Sequence, residues 1–127
     1  MNLRFKKDKV VGIFDFDWSS LQPRLRDVAD GVLFFASLKK EDYQSDNITS
    51  LTQAVRFNAK RVELLLHYYE RGVKLSSVER KLLPCFIKAR WLNCRVDGMR
   101  KIPENERASF LLKDIFKPLN SLEKCLG

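Results

Sequence analysis

Apolar and polar positions first alternate along this chain and then settle into a helical period. Leu3-Arg4-Phe5 alternates, Lys6-Lys7-Asp8-Lys9 is polar, and Val10-Val11-Gly12-Ile13-Phe14 is a β-branched and aromatic run. Together they predict a β-hairpin. A three-residue loop at Lys7-Asp8-Lys9 sets Phe5 opposite Val11 and Leu3 opposite Ile13, so that the apolar side chains share a face. The same register brings Asn2 beside the end of the second strand, where Asp15 follows.

After Pro23 the apolar steps become three and four. Leu25, Val28, Ala29, Val32, Leu33, Phe35 and Ala36 predict a helix that starts at Arg24, with Gly31 costing about 1 kcal/mol relative to alanine. Segment 39–50 is polar and reads as a loop. Leu51, Val55, Ala59, Val62, Leu65, Leu66 and Tyr69 predict a second helix over about 51–71, with Gly72 in the place of a C′ glycine. Ser76 and Glu79 form a capping box that opens a third helix. That helix carries Leu82, Leu83, Phe86, Ile87, Arg90 and Trp91 to about Gly98, and Pro84 is placed to kink or delay its first turns. Pro103 suits the first position of a fourth helix, with Glu104 and Glu106 at its positive end. Phe110, Leu111, Ile115 and Phe116 would be its buried stripe, ending at Pro118. The fold class is therefore mainly α: a short N-terminal β-hairpin followed by about four helices, in a single domain over 1–127.

Composition narrows the function without choosing one. A chain of 127 residues suits one domain that buries roughly two thirds of its unfolded surface. With 45% hydrophobic and 31% charged residues it is not a disordered composition. No apolar run approaches the roughly 18–20 residues that span a bilayer, and Met1 to Lys7 lacks the apolar core of a signal peptide. No membrane partner and a cytoplasmic location are expected. Cys85, Cys94 and Cys125 are odd in number and widely spaced, which suits free thiols rather than a disulfide framework or a zinc site. The net charge of +8 favours acidic partners such as nucleotides, phosphorylated substrates or nucleic acid. The basic residues are scattered, however, and no nucleic-acid-binding motif accompanies them, which argues against a nucleic-acid partner. His67 falls mid-helix, where a solvated or core role is expected.

The segment from Val10 to Asp30 carries the chemistry. Asp15 and Asp17 follow directly on a strand. A hard cation such as Mg²⁺ takes oxygen ligands, and a carboxylate at a strand end can hold one beside phosphate. Two strand-end acids alone are more often a solvated turn; the hairpin register adds Asn2 as a second oxygen ligand.

These residues resemble the family of aminoglycoside phosphotransferases, choline kinases and homoserine kinases, which share the protein-kinase-like fold. The resemblance rests on Asn2-Leu3-Arg4-Phe5, on Val11-Gly12-Ile13-Phe14-Asp15-Phe16-Asp17-Trp18, and on Pro23-Arg24-Leu25-Arg26-Asp27-Val28-Ala29. More loosely, Arg90-Trp91-Leu92 and Arg100-Lys101-Ile102-Pro103 are similar to the homoserine-kinase-like branch. It implies the C-terminal half of a kinase-like C-lobe, acting with Mg²⁺ and ATP. Asp15 would be the principal Mg²⁺ ligand and Asn2 the second, at the end of the catalytic loop. Asp27 would be a structural acid that accepts hydrogen bonds from that loop's backbone. Asp17 would reach metal or substrate, or face water; Trp18 would pack on the first helix or stack on substrate.

The family's catalytic base lies in a His-Gly-Asp-like loop, expected upstream of Met1, and its nucleotide lobe with a phosphate-pairing lysine is missing from this sequence. Positioning and electrostatics make up nearly all of phosphoryl-transfer catalysis, so the chain is expected to be inactive alone and not to bind ATP by itself. A chain carrying the missing N-terminal lobe is the implied partner, and self-association through the exposed hairpin is expected. The alternative reading is a non-enzymatic basic helical module that binds nucleic acid or an acidic protein.

Overall fold

The computed structural model describes residues 3–15, 19–39, 44, 46–52 and 56–126. It is mainly helical and opens on a two-stranded antiparallel hairpin, as the sequence predicts. Strands β1 (Leu3–Lys6) and β2 (Lys9–Ile13) pair with Leu3 opposite Ile13. The rest of the expected register is shifted. The turn has two residues, Lys7 and Asp8, and sets Lys6 opposite Lys9 and Phe5 opposite Val10 rather than Val11. A left-handed residue, Lys7 at φ 53°, suits the tight turns whose twist matches the strands. Val11 is then one residue too many and is taken up as a β-bulge.

Helix α1 (Leu25–Gly31) runs into a π-helical segment, Val32–Ala36. It lies along α3 (Ser77–Met99), and Leu25, Val28, Ala29 and Val32 form one core with Leu83, Ile87 and Trp91. Leu33, Ala36, Phe57, Val62, Leu75 and Leu122 complete that core. Phe35, expected on the buried stripe, is half exposed instead. The wider π-helical turn ends where the Ser37 hydroxyl donates to the Leu33 carbonyl at 2.6 Å.

The predicted second helix starts late. Residues Ile48–Thr52 form a 3-10 turn, Val55 falls outside the described residues, and α2 covers Ala59–Glu70. Tertiary hydrogen bonds override the apolar period here. Strands β3 (Ser37–Leu38) and β4 (Arg56–Phe57) pair, and the Asn58 amide donates to the Ala36 carbonyl at 3.0 Å. The Phe57 amide donates to the Ser121 hydroxyl at 3.0 Å, and the Cys125 thiol donates to the Phe57 carbonyl at 3.3 Å. Asn58, held extended, caps α2 by accepting from the Arg61 amide.

Helix α3 begins at the expected capping box and is continuous through Pro84, which neither delays nor ends it. Pro103 precedes a 3-10 turn, Glu104–Glu106, rather than starting an α-helix, and α4 is short (Arg107–Leu112). Phe110 is buried but Phe116 is 70% exposed, against the expected stripe. Asp114, at φ 53°, breaks the helix after α4. The chain then continues as a fifth helix, α5 (Phe116–Leu126), where Pro118 was expected to be a stop. Pro118 falls in the first turn of α5, where a missing N–H costs no intrahelical bond.

Arg95 of α3 is 1% exposed, and Asp114 is the acid whose charge acts on it. Its Nη2 donates to the carbonyls of Phe110, at 2.8 Å, and Lys113, so it closes the C-terminal end of α4. Its guanidinium also lies 5.4 Å from the centroid of Trp91. Burial pushes its pKa down.

Two glycines should respond oppositely to alanine. A Cβ on Gly98 would lie 2.9 Å from Leu51, 3.1 Å from Ile48 and 3.2 Å from Phe110, crowded from separate elements. A Cβ on Gly31 would meet only the end of Leu65, at 3.3 Å. Alanine gains about 1 kcal/mol of helix propensity, while overpacking costs about 1–3 kcal/mol. In urea unfolding, Gly98→Ala is therefore expected to lose about 1 kcal/mol and Gly31→Ala to gain up to about 1 kcal/mol. Equal stabilisation of both would contradict the packing at Gly98.

Candidate functional site

Asp15 stands two residues past the end of β2 with φ 63°, in the left-handed region. Aspartate visits that region more readily than most residues but still at a cost. The pairing of Leu3 with Ile13, from which Asn2 was expected to reach Asp15, is present. Asn2, Asp17 and Trp18 themselves lie outside the described residues. Gly12 admits the Phe14 ring beside Asp15: a Cβ there would stand 2.9 Å from Phe14 Cζ. Among the described residues no group of three or more His, Cys, Asp and Glu side chains could hold a metal.

Asp27 is an exposed residue in the first turn of α1, where its charge complements the positive helix end. No described residue hydrogen-bonds its carboxylate. What fixes the start of α1 is its neighbour Arg24. Arg24 Nε donates to Glu79 Oε1 and its Nη2 to Oε2, both at 2.6 Å, and Nη2 also donates to the Lys74 carbonyl at 3.0 Å. Glu79 Oε2 accepts in addition from the Ser76 amide at 2.8 Å. These bonds, led by the one from Arg24, hold the Glu79 carboxyl down at about 2. A second tie between α1 and α3 is the ion pair of Asp30 with Arg90. Sequence reading found the capping box of Ser76 and Glu79 but neither tie, because their partners are far apart in the chain and no local pattern marks them.

A cavity of about 40 Å³ lies beside the π-helical segment, between Leu33, Phe34, Ser37, Ser50, Trp91 and Cys94. It is large enough for a few waters. Trp91 Nε1 is buried with no hydrogen-bond partner among the described residues. Burial pushes the Cys94 thiol up, which keeps it protonated and a poor nucleophile. The three cysteines are free, as expected, with Cys85 exposed and Cys94 and Cys125 half-buried. His67 is exposed on α2, edge-on to Tyr68 at 5.4 Å. Of the sequence-predicted metal ligands, Asp15 alone lies among the described residues, at the mouth of the hairpin.

Compared with protein-family models, with curated proteins and with solved structures, the chain matches none of them. Among the described residues no helix is long and apolar enough to cross a membrane.

The Arg24–Glu79 contact gives a pH dependence. The Glu79 pKa is lower folded, at about 2, than its ordinary value of 4.5, so its stabilisation is complete above about 4.5 and lost as pH falls towards about 2. Arg24 and Glu79 are both partly exposed, so solvent screens the pair and the effect is modest. The Tm difference between the native chain and Glu79→Gln should shrink as pH falls through that window. A difference independent of pH would show that the carboxylate charge contributes nothing.

Proposed function

We propose that this chain is the C-terminal part of the C-lobe of an ATP-dependent small-molecule phosphotransferase, resembling the aminoglycoside phosphotransferase group. Asp15 is the principal Mg²⁺ ligand, Asn2 the second, and Asp17 a further candidate. Asp27 supports the catalytic loop. The observation that carries the reading is the left-handed backbone of Asp15, φ 63°, directly beyond β2. A non-glycine residue kept in a costly conformation at a strand end is a recurrent mark of functional positions. The paired strands, with Leu3 opposite Ile13, also support it, since the reading needs that register.

Under this reading Mg²⁺ would supply charge neutralisation between phosphate oxygens. The residues of this chain orient the metal and contribute helices on the substrate side. These 127 residues hold no counterpart of the family's His-Gly-Asp-like loop or nucleotide lobe, so by themselves they are expected neither to bind ATP nor to turn over substrate.

Mn²⁺, which prefers the same oxygen ligands as Mg²⁺, can be titrated into the purified chain and followed by electron paramagnetic resonance. Saturable binding is expected, weakened at least about tenfold, or 1.4 kcal/mol, in Asp15→Asn; binding indifferent to that substitution removes the metal assignment. A phosphotransfer assay over a panel of sugars and amino alcohols should show no turnover. Turnover that Asp15→Ala abolishes would overturn the claim that the chain is inert alone.

A further inference from the structure

The hairpin has two faces of different chemistry, both largely exposed, with the Phe14 ring lying over Gly12 on the side of Arg4. Side chains alternate along β1, and directly opposed residues share a face. Leu3 and Phe5, with Ile13 and Val10 opposite them, make an apolar face; Arg4 and Lys6, with Lys9 opposite Lys6, make a basic one. Phe5 is 50% exposed, Val10 49% and Ile13 58%. Among the described residues no third strand joins β1 and β2, so the backbone groups along both outer edges are unclaimed by a strand. Such an edge is a template for another strand.

Charge selects the occupant. Lys6 and Lys9 already oppose each other directly, an unfavourable like-charge pair. Arg4, Lys6 and Lys9 form no ion pair among the described residues, and Asp8 in the turn is the sole acid from Leu3 to Ile13. A second copy paired edge to edge would bring more basic side chains onto this face. An incoming strand paired with the outer edge of β1, with acidic residues at alternate positions, would place carboxylates beside Arg4 and Lys6, one strand away from Lys9. Its intervening apolar residues would extend the face of Leu3, Phe5, Val10 and Ile13.

We infer that the N-terminal hairpin is a docking edge for an extended segment of another protein, in which acidic and apolar residues alternate. The inference stands apart from the phosphotransferase reading, since it uses no property of Asp15. One strand added to this edge would satisfy backbone, apolar and charged groups together.

The test uses fluorescein-labelled peptides that alternate valine with glutamate, serine or lysine, titrated with the whole chain and read by fluorescence anisotropy. The glutamate peptide should bind saturably, at least about tenfold more tightly than the serine peptide, and weaken as salt is raised. The charge-reversed variant Arg4→Glu/Lys6→Glu/Lys9→Glu should lose the glutamate peptide and gain the lysine peptide. Far-UV circular dichroism verifies that its helices are intact, and amide exchange should show protection of β1 or β2 when the glutamate peptide is added to the native chain. Equal binding of the serine peptide, no binding at all, or no protection of either strand overturns the inference. A salt-resistant dimer in light scattering would assign the edge to a second copy instead. Tighter binding of a DNA duplex, lost in the same variant, would assign the basic face to nucleic acid.

Discussion

Ala29 on α1 and Ile87 on α3 have no solvent exposure, and Val28, Val32, Leu83 and Trp91 close around them. Burial of each large aliphatic side chain contributes roughly 1.5–3 kcal/mol, and the other elements are arranged about this seam. Helix α2 adds Val62, and α5 adds Leu122 from the opposite end of the chain. The two polar ties, Arg24 to Glu79 and Arg90 to Asp30, join the same pair of helices. They fix register more than they add stability, since both are partly exposed.

The parts legible in the sequence are those set by local chemistry. The hairpin, the Ser76–Glu79 capping box and the apolar period of α1 and α3 follow from neighbours a few residues apart. The errors fall where distant groups decide. The late start of α2 depends on Phe57 bonding Ser121 and Cys125, more than sixty residues away. Pro118 reads as a stop, yet it falls in the first turn of α5, where its missing N–H leaves nothing unsatisfied. A one-residue bulge at Val11 has no distinctive residue to announce it. Arg95 reads as one basic residue among many, and its burial beneath the end of α4 is invisible without the fold.

The candidate site divides in the same way. Two acids directly after a strand are visible in sequence, and the structure adds the left-handed backbone at Asp15. The apolar face of the hairpin was legible as a pattern, and its exposure was expected from the resemblance; Phe5, Val10 and Ile13 are exposed as that reading requires. Apolar alternation normally marks a face turned to the core, whereas here the core is complete without it. The proposed metal segment at one end of the hairpin and the proposed docking edge along it would give this small element two separate roles.

The most direct test of that account is to add Mn²⁺ to the isotopically labelled chain and map paramagnetic broadening of the amide resonances. Broadening centred on Asp15, reaching Ile13 and Phe14 and leaving the acidic turn at Glu104–Glu106 sharp, is the predicted result. Broadening centred on Glu104 and Glu106, or none at the hairpin mouth, would contradict it.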